Sequence, residues 1–402
     1  MFKAKLFKHQ IEGVEFALST PYHINGFEMG LGKTATALAV ACKLKKKTLI
    51  VCPAYLKRNW EDEIEKFTDG SLDITISSYT QLKKVNFTAS YGFIVADEAH
   101  YLKNIKAKRT QLFHELVQLI KPDNLMMLSG TPIKNRVSEF WSLLQLCYYG
   151  GRYESFKPYY KLYYKFCNKF SFERTFEVNN IPIVRFDGVR NVPQLKQLVS
   201  PVYLRKRTKD VIDLPEVTEI PIRSECKKSY ETNLKAAFEL FEQDHKDPAY
   251  MSMKRANALA KVKDTIKLAK DIIEQDDKVI IFTDHVASAE VIAKDLKCDL
   301  VTGKVSAEKR GEIVSNFQSG DSFAIVATIG SLSTGVNLTN ANRMIFNDLP
   351  FVPTDLEQAK ARIYRIGQEK KCFYYYVFNS EFDMKLKEMI ARKNRDIKKV
   401  YE

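Results

Sequence analysis

Nothing in this chain is spaced to hold a structural metal. Its seven cysteines (42, 52, 147, 167, 226, 298 and 372) are scattered, no CxxC pair occurs and the six histidines form no cluster. Free thiols in a reducing compartment are therefore expected in place of a zinc site. Unbroken apolar runs never approach 18 residues, and the opening MFKAKLF has no apolar centre of the kind an export signal carries. A membrane span is not expected, and the chain reads as soluble and intracellular, in cytoplasm, nucleoid or nucleus. There is no tandem repeat and no low-complexity tail. Acid is the scarce charge: 49 Asp and Glu stand against 63 Lys and Arg, for a net charge of +14. That imbalance favours a polyanionic partner. What is plentiful is apolar residues, 45% of 402, enough for two globular domains of about 200 residues each.

Three short motifs carry chemistry. GLGKT at Gly30–Thr34 places glycines where a backbone must turn tightly, so that its N–H groups and the next helix N-terminus surround phosphate oxygens. Lys33 would add a point charge at the β/γ phosphates, and the Thr34 hydroxyl would ligate Mg²⁺. FIVAD at Phe93–Asp97 reads as a buried strand ending in acid. Asp97 would hold the metal, directly or through water, and Glu98 would orient or deprotonate the attacking water. Some 330 residues after the first motif, QAKARIYRIGQ at Gln358–Gln368 contains Arg362 and Arg365, three apart and so on one face if helical. Arginines held at that distance imply a second lobe that supplies charge to the γ-phosphate.

The pattern between the motifs is α/β. Thr48–Cys52, Phe93–Asp97 and Leu125–Ser129 are short apolar runs separated by helical stretches such as Thr34–Lys45 and Trp60–Phe67, as in a parallel sheet covered on both faces. The same alternation returns at Val279–Thr283, Phe323–Thr328, Met344–Asn347 and Cys372–Val377. Two lobes are expected, at 1–222 and 223–402. Each would carry a helical protrusion, at about 148–200 and about 228–277. In the first, Lys157, Lys161, Lys165 and Lys169 recur every fourth residue among aromatics. From Arg152 to Asp210 there are thirteen Lys and Arg against five Asp and Glu, which suggests a face for nucleic acid, with Lys157, Lys161 and Lys165 as contacts. In the second, residues 228–277 read as strongly helical, with Ala256–Gln275 an amphipathic stretch packing Leu259, Val262, Ile266, Ala269 and Ile273. Met384–Val400 reads as a short basic helix.

Longer segments resemble the Swi/Snf-type ATPases of helicase superfamily 2. They are FKHQIEGVEFAL at Phe7–Leu18, PAYLKRNWEDEIEKF at Pro53–Phe67, ISSYT at Ile76–Thr80, DEAHYLKN, LSGTPIKNRVSEFWSLL at Leu128–Leu144, LRKRTKDVIDLPE at Leu204–Glu216, ATIGSLSTGVNLTNANRMIFND at Ala327–Asp348, and RIGQ. The likeness runs from Leu6 to Gln368. FDGVRNVPQLKQLV followed by LRKRTKDV is most similar to the annealing-helicase (HARP-like) branch. The resemblance implies two RecA-like doubly wound parallel-sheet lobes with helical protrusions. It implies that Gln10 contacts adenine, and that Glu28, Met29, Gly30, Leu31, Gly32, Lys33, Thr34, Gly335 and Asn337 bind nucleotide. His100, Ser129, Gly130, Thr131 and Gln358 would couple nucleotide state to lobe movement. Pro53, Asn59, Trp60, Ser78, Tyr79, Gly303, Arg310 and Thr328 would contact DNA. Phe27 stands where the family has an acidic residue, and Tyr364 where it has histidine.

ATP and Mg²⁺ are thus the expected cofactors of a DNA-dependent ATPase. The partner would be double-stranded DNA gripped through its backbone by a monomeric translocase, with a recruiting protein as a further possibility. Two alternatives are a strand-separating helicase on RNA or forked DNA, and a clamp that binds nucleotide without turnover.

Overall fold

A computed structural model describes the chain except residues 151–155, 179–180, 212, 225–247, 321, 333–335, 380 and 402. It separates into two units. The first comprises 1–175, 184–212 and 395–402, the second 176–183 and 213–394.

The first unit is built on a six-stranded sheet in the order β3-β2-β4-β5-β1-β8. Its strands are β1 (Tyr22–Phe27), β2 (Thr48–Cys52), β3 (Ile74–Ser78), β4 (Phe93–Asp97), β5 (Asn124–Leu128) and β8 (Tyr203–Lys206). Every pairing is parallel. Side chains alternate between two buried layers. Ile24, Leu49, Val51, Ile94, Ala96, Leu125 and Met127 enter one, while Ile50, Cys52, Phe93, Val95, Met126 and Leu128 enter the other. Burial on both faces is what turns these strands into continuous apolar runs.

Helix α1 (Lys8–Ser19) and helix α2 (Lys33–Leu44) pack together on one of those faces. The composition of α2, KTATALAVACKL, is rich in the strongest helix formers, and it ends at Lys45 in the left-handed conformation. Phe27 is fully buried. A Cβ on Gly13 of α1 would lie 2.7 Å from its ring, so Gly13 is what makes room for the aromatic at that position.

The second unit has its own six-stranded sheet, β11-β12-β10-β13-β14-β9. Its strands are β9 (Val217–Arg223), β10 (Val279–Thr283), β11 (Asp299–Val301), β12 (Ala324–Thr328), β13 (Arg343–Phe346) and β14 (Cys372–Phe378), again all parallel. Ile280, Phe282, Ile325, Ala327, Met344, Phe346, Tyr374 and Tyr376 face one layer. Val279, Ile281, Ala324, Val326, Ile345, Tyr375 and Val377 face the other. β9 takes the edge, where Pro221 forfeits no interior ladder bond. It thereby places Val217–Ile222, which the expected boundary at 222/223 assigned to the first lobe, in the second sheet. β6 (Phe172–Val178) and β7 (Ile181–Asp187) form a separate two-stranded sheet.

Two sequence readings change. The amphipathic stretch expected over Ala256–Gln275 falls on two helices, Pro248–Ala260 and Val262–Ile273, parted at Lys261. Lys261 is fully buried and its ammonium donates to Asp383 at 2.9 Å. Leu259, expected in the core, is exposed on the far side of the break. The C-terminal helix is longer than expected, Glu381–Tyr401, and its Ile397 and Val400 are buried. Among the described residues no helix is long and apolar enough to cross a membrane.

Two buried histidines give the first unit a pH dependence. His23 Nδ1 lies 2.8 Å from the Thr20 carbonyl, and His114 Nε2 lies 2.9 Å from Ser142 Oγ. Burial pushes His23 down to about 4 and His114 to about 3 from an ordinary 6.5. Below 6.5 the unfolded chain binds protons that the folded chain refuses. Their contribution is complete above that pH and is lost as pH falls toward 4 and 3. Each histidine should cost about 2 kcal/mol between pH 7 and pH 5. Urea midpoints of the wild type and of His114→Gln should differ less at pH 5 than at pH 7; an unchanged difference would refute the assignment.

Candidate nucleotide site

The residues with chemistry sit where parallel strands end. In the first sheet Leu128 pairs with Asp97 on one side and with Asn25 on the other. The acid at the tip of β4 and the loop leaving β1 therefore flank β5 at one level. The crevice outside the carboxyl ends of parallel strands is where open α/β sheets bind ligands.

Gly30 and Gly32 have φ of +81° and +75°, which side chains resist. A Cβ on Gly32 would meet Gln10 Nε2 at 2.2 Å, and one on Gly130 would lie 3.1 Å from the Phe27 carbonyl and 3.4 Å from Lys33 Nζ. The loop, the start of α1 and the turn after β5 thus close on one another around space that only glycine leaves open. Lys33 Nζ donates to the carbonyls of Phe27 (3.0 Å) and Glu28 (3.3 Å). Lys33 opens α2, whose first turn carries no acid, so the helix dipole there remains available to an anion. The buried His9 holds the loop from beneath, with Nε2 3.0 Å from the Leu31 carbonyl, and Gln10 Nε2 donates to the same oxygen at 3.4 Å. Sequence reading passed over His9; its place beside Gln10 was the only hint. Glu28 turns away from the loop, accepting from Arg205 Nη2 (3.2 Å) and the Thr208 backbone (2.9 Å).

Asp97 and Glu98 are held differently. Trp60 Nε1 donates to Asp97 Oδ2 at 2.9 Å, the Glu98 amide donates to Oδ1 at 2.8 Å, and the Tyr79 hydroxyl donates to the Asp97 carbonyl at 2.8 Å. Burial, then the neighbouring Glu98 charge, raises the Asp97 carboxyl to about 6. A divalent cation would reverse that shift. For Glu98 burial also pushes upward, but the imidazole of His100, with Nδ1 3.1 Å from Oε2, and the Lys33 and Lys134 cations outweigh it. Glu98 is therefore held below the usual carboxylate range, ionised at neutral pH. Its backbone is left-handed, φ +49°, a conformation that non-glycine residues adopt only at some cost.

The turn after β5 is ordered by its own network. Ser129 Oγ accepts from the Thr131 amide, and Glu139 accepts from the amides of Lys134 and Asn135 and from Lys103 Nζ. The combination of a cradle that a Cβ would fill, a lysine, a helix N-terminus and oxygen donors at Asp97, Glu98 and Thr34 fits a nucleoside triphosphate with Mg²⁺.

In the second unit the arginine pair departs from expectation. The helix ends at Lys360, so Arg362 and Arg365 lie in the following turn instead of on a helical face. They converge all the same: Arg362 Nη1 and Arg365 Nη1 donate to the Val336 carbonyl at 2.9 and 3.1 Å. Arg362 Nε also donates to the Gln358 carbonyl, and the Arg362 carbonyl accepts from the Leu338 amide. Gln368, which sequence reading gave no role, ties the turn down through the carbonyls of Thr339, Ala341 and Ile363. Asn337 is exposed, and Gly335 lies outside the described residues.

The expected DNA contacts divide. Asn59 and Gly303 are exposed and Arg310 and Thr328 half-buried. Lys161 and Lys165 are exposed on the helix Phe156–Phe170, whose other side buries Phe166 and Phe170; the side chain of Lys157 lies outside the described residues. Pro53, Trp60, Ser78 and Tyr79 are buried. Trp60 and Tyr79 spend their polar atoms on Asp97, so neither reaches a DNA backbone in this arrangement.

An open-sheet α/β unit with a phosphate cradle, followed by a second that carries a paired-arginine turn, defines a class of nucleotide-driven proteins. Matches to known families place the chain within it. The SNF2-related domain family matches residues 9–86 and 70–276, and the helicase conserved C-terminal domain matches 260–367; the chain belongs to the SNF2-related family. It is 26% identical to the DNA annealing helicase and endonuclease ZRANB3 of Bos taurus, over 97% of this chain and 40% of that protein. It is 25% identical to the putative ATP-dependent helicase/translocase YwqA of Bacillus subtilis (strain 168), over 85% of this chain and 42% of that protein. The chain therefore spans well under half the length of these relatives. Among solved structures, the Sulfolobus solfataricus SWI2/SNF2 ATPase core in complex with dsDNA is similar with 24% identity and a TM-score of 0.43, over 99% of this chain and 93% of that one.

Proposed function

We propose that this chain is an ATP-driven motor that moves along double-stranded DNA. The observation that carries the reading is the division of one phosphate chemistry between two sheets. Lys33, Asp97 and Glu98 close one parallel sheet, and the Arg362–Arg365 turn belongs to the other.

On this reading Lys33 exchanges its two carbonyl partners for β/γ-phosphate oxygens. Gln10 recognises the base. Thr34 and Asp97 hold Mg²⁺, which when bound neutralises charge on the phosphates. Glu98, already ionised, takes the proton of the attacking water. Arg362 and Arg365 complete the site during turnover, and Ser129–Thr131, beside Lys33, pass nucleotide state to the rest of the chain. The net charge of +14, Asn59, the Lys161–Lys165 face, Gly303, Arg310 and Thr328 serve phosphate contacts without reading sequence. The names of the relatives, a DNA annealing helicase and a putative helicase/translocase, support DNA as the track and translocation or strand annealing as the output. The low pKa of Glu98 and the retained arginines disfavour a clamp that binds nucleotide without turnover.

Displacement of a third strand from a triplex tests this directly. The expected result is ATP-dependent displacement that Lys33→Ala abolishes. Unwinding of a fork or an RNA duplex without triplex displacement would favour a strand-separating helicase instead.

A further inference from the structure

Trp60 is the one fully buried side chain of helix α3 (Lys57–Phe67), and its neighbours Arg58 and Asn59 are exposed. The only polar atom of its indole donates to Asp97 Oδ2 at 2.9 Å. Tyr79, just beyond β3, is stacked on Tyr101 with ring centroids 5.5 Å apart, and its hydroxyl donates to the Asp97 carbonyl at 2.8 Å. With the Glu98 amide on Oδ1, each oxygen of the Asp97 carboxylate accepts one donor. A carboxylate oxygen offers two acceptor sites, so one on each oxygen stays open and the plane of the group is fixed.

We propose that Trp60 and Tyr79 are positioning residues that aim the Asp97 carboxylate at nucleotide-bound Mg²⁺. Through Trp60 that aim is tied to α3, the helix whose outer side carries Arg58 and Asn59. The inference rests on the functional reading above and deepens it. Two segments expected to touch DNA each send one buried side chain, Trp60 and Tyr79, to the metal-holding acid, so a load on the outside of α3 meets Asp97 one side chain further in. Partners of this kind fix the orientation of a ligating group, and their loss lowers metal affinity or activity by about 10–100-fold.

The chain has two tryptophans, Trp60 and Trp141, so Trp141→Phe leaves Trp60 as the sole indole reporter. In that background, adding Mg·ADP should change Trp60 emission, and ADP without Mg²⁺ should change it little. In the full chain, Trp60→Phe, or its replacement by the sulfur isostere benzothienylalanine, should raise the Mg²⁺ concentration for half-maximal ADP binding by about 10–100-fold. Tyr79→Phe should shift it in the same direction by less. Calorimetric ADP titrations at stepped Mg²⁺ provide the readout, independent of turnover. A lower melting temperature with unchanged Mg²⁺ dependence would show Trp60 to be packing alone and overturn the proposal. Where Trp60→Phe fails to fold, the isostere, Tyr79→Phe and the Trp60 emission decide by the same criteria. A wild type that binds no Mg·ADP would defeat the functional reading itself; a wild type that binds it while the variants match it defeats only this inference.

Discussion

Arg365→Ala should lower DNA-stimulated ATP turnover by about 10³–10⁵-fold, the range over which an arginine supplied to developing γ-phosphate charge acts in other nucleotide hydrolases. Of the two arginines it gives the cleaner test. Arg362 is buried and holds the carbonyls of Val336 and Gln358. Truncating it would remove the buried bond to the Gln358 carbonyl and cost about 1–3 kcal/mol of stability, mixing folding with catalysis. Arg365 shares the Val336 carbonyl with Arg362, so that oxygen keeps a donor when Arg365 is removed. The melting temperature and ADP affinity of Arg365→Ala should stay near wild type while kcat collapses. Arg365→Lys should recover little, because an ammonium lacks the planar fork of a guanidinium. A kcat within a few-fold of wild type would remove Arg365 from the reaction.

Glu98→Gln should reduce turnover by about 10²–10⁴-fold, the usual contribution of a positioned general base, and leave nucleotide binding intact. Glutamine keeps the shape and can still accept from His100, but it cannot take a proton. The left-handed backbone at Glu98 is retained by the substitution, so stability should change little. Removing the charge also relieves Asp97, whose carboxyl is raised partly by Glu98. A Glu98→Gln chain that releases phosphate at the wild-type rate in a single turnover would rule out its role as base.

How much of this could be read before the fold was known depends on what each residue faces. Thr48–Cys52, Phe93–Asp97 and Val279–Thr283 match the observed strands because both faces of each are buried and the sequence has no polar interruption. β1 is equally central yet reads poorly, since YHINGF buries His23 and Asn25, with partners supplied by the Thr20 carbonyl and the Phe27 amide. The phosphate loop was legible because its glycines are demanded by backbone angle and by close neighbours. The arginine turn was legible only as a motif. Helical spacing gave the wrong geometry, because the helix stops at Lys360 and long-range bonds to Val336 and from Gln368 shape the turn beyond it. The inward direction of Trp60 was missed for a different reason: the segment took its DNA role from the resemblance, although Trp60, Ile64 and Phe67 recur at helical spacing and share one apolar face.

Steady-state ATP hydrolysis titrated with duplex DNA tests the central claim most directly, with single-stranded, forked and RNA ligands run beside it. The proposed motor predicts a saturable rise on duplex that weakens steeply with salt and vanishes in Lys33→Ala and Arg365→Ala. An equal rate with and without nucleic acid, or a stimulated rate that survives both substitutions, would contradict it.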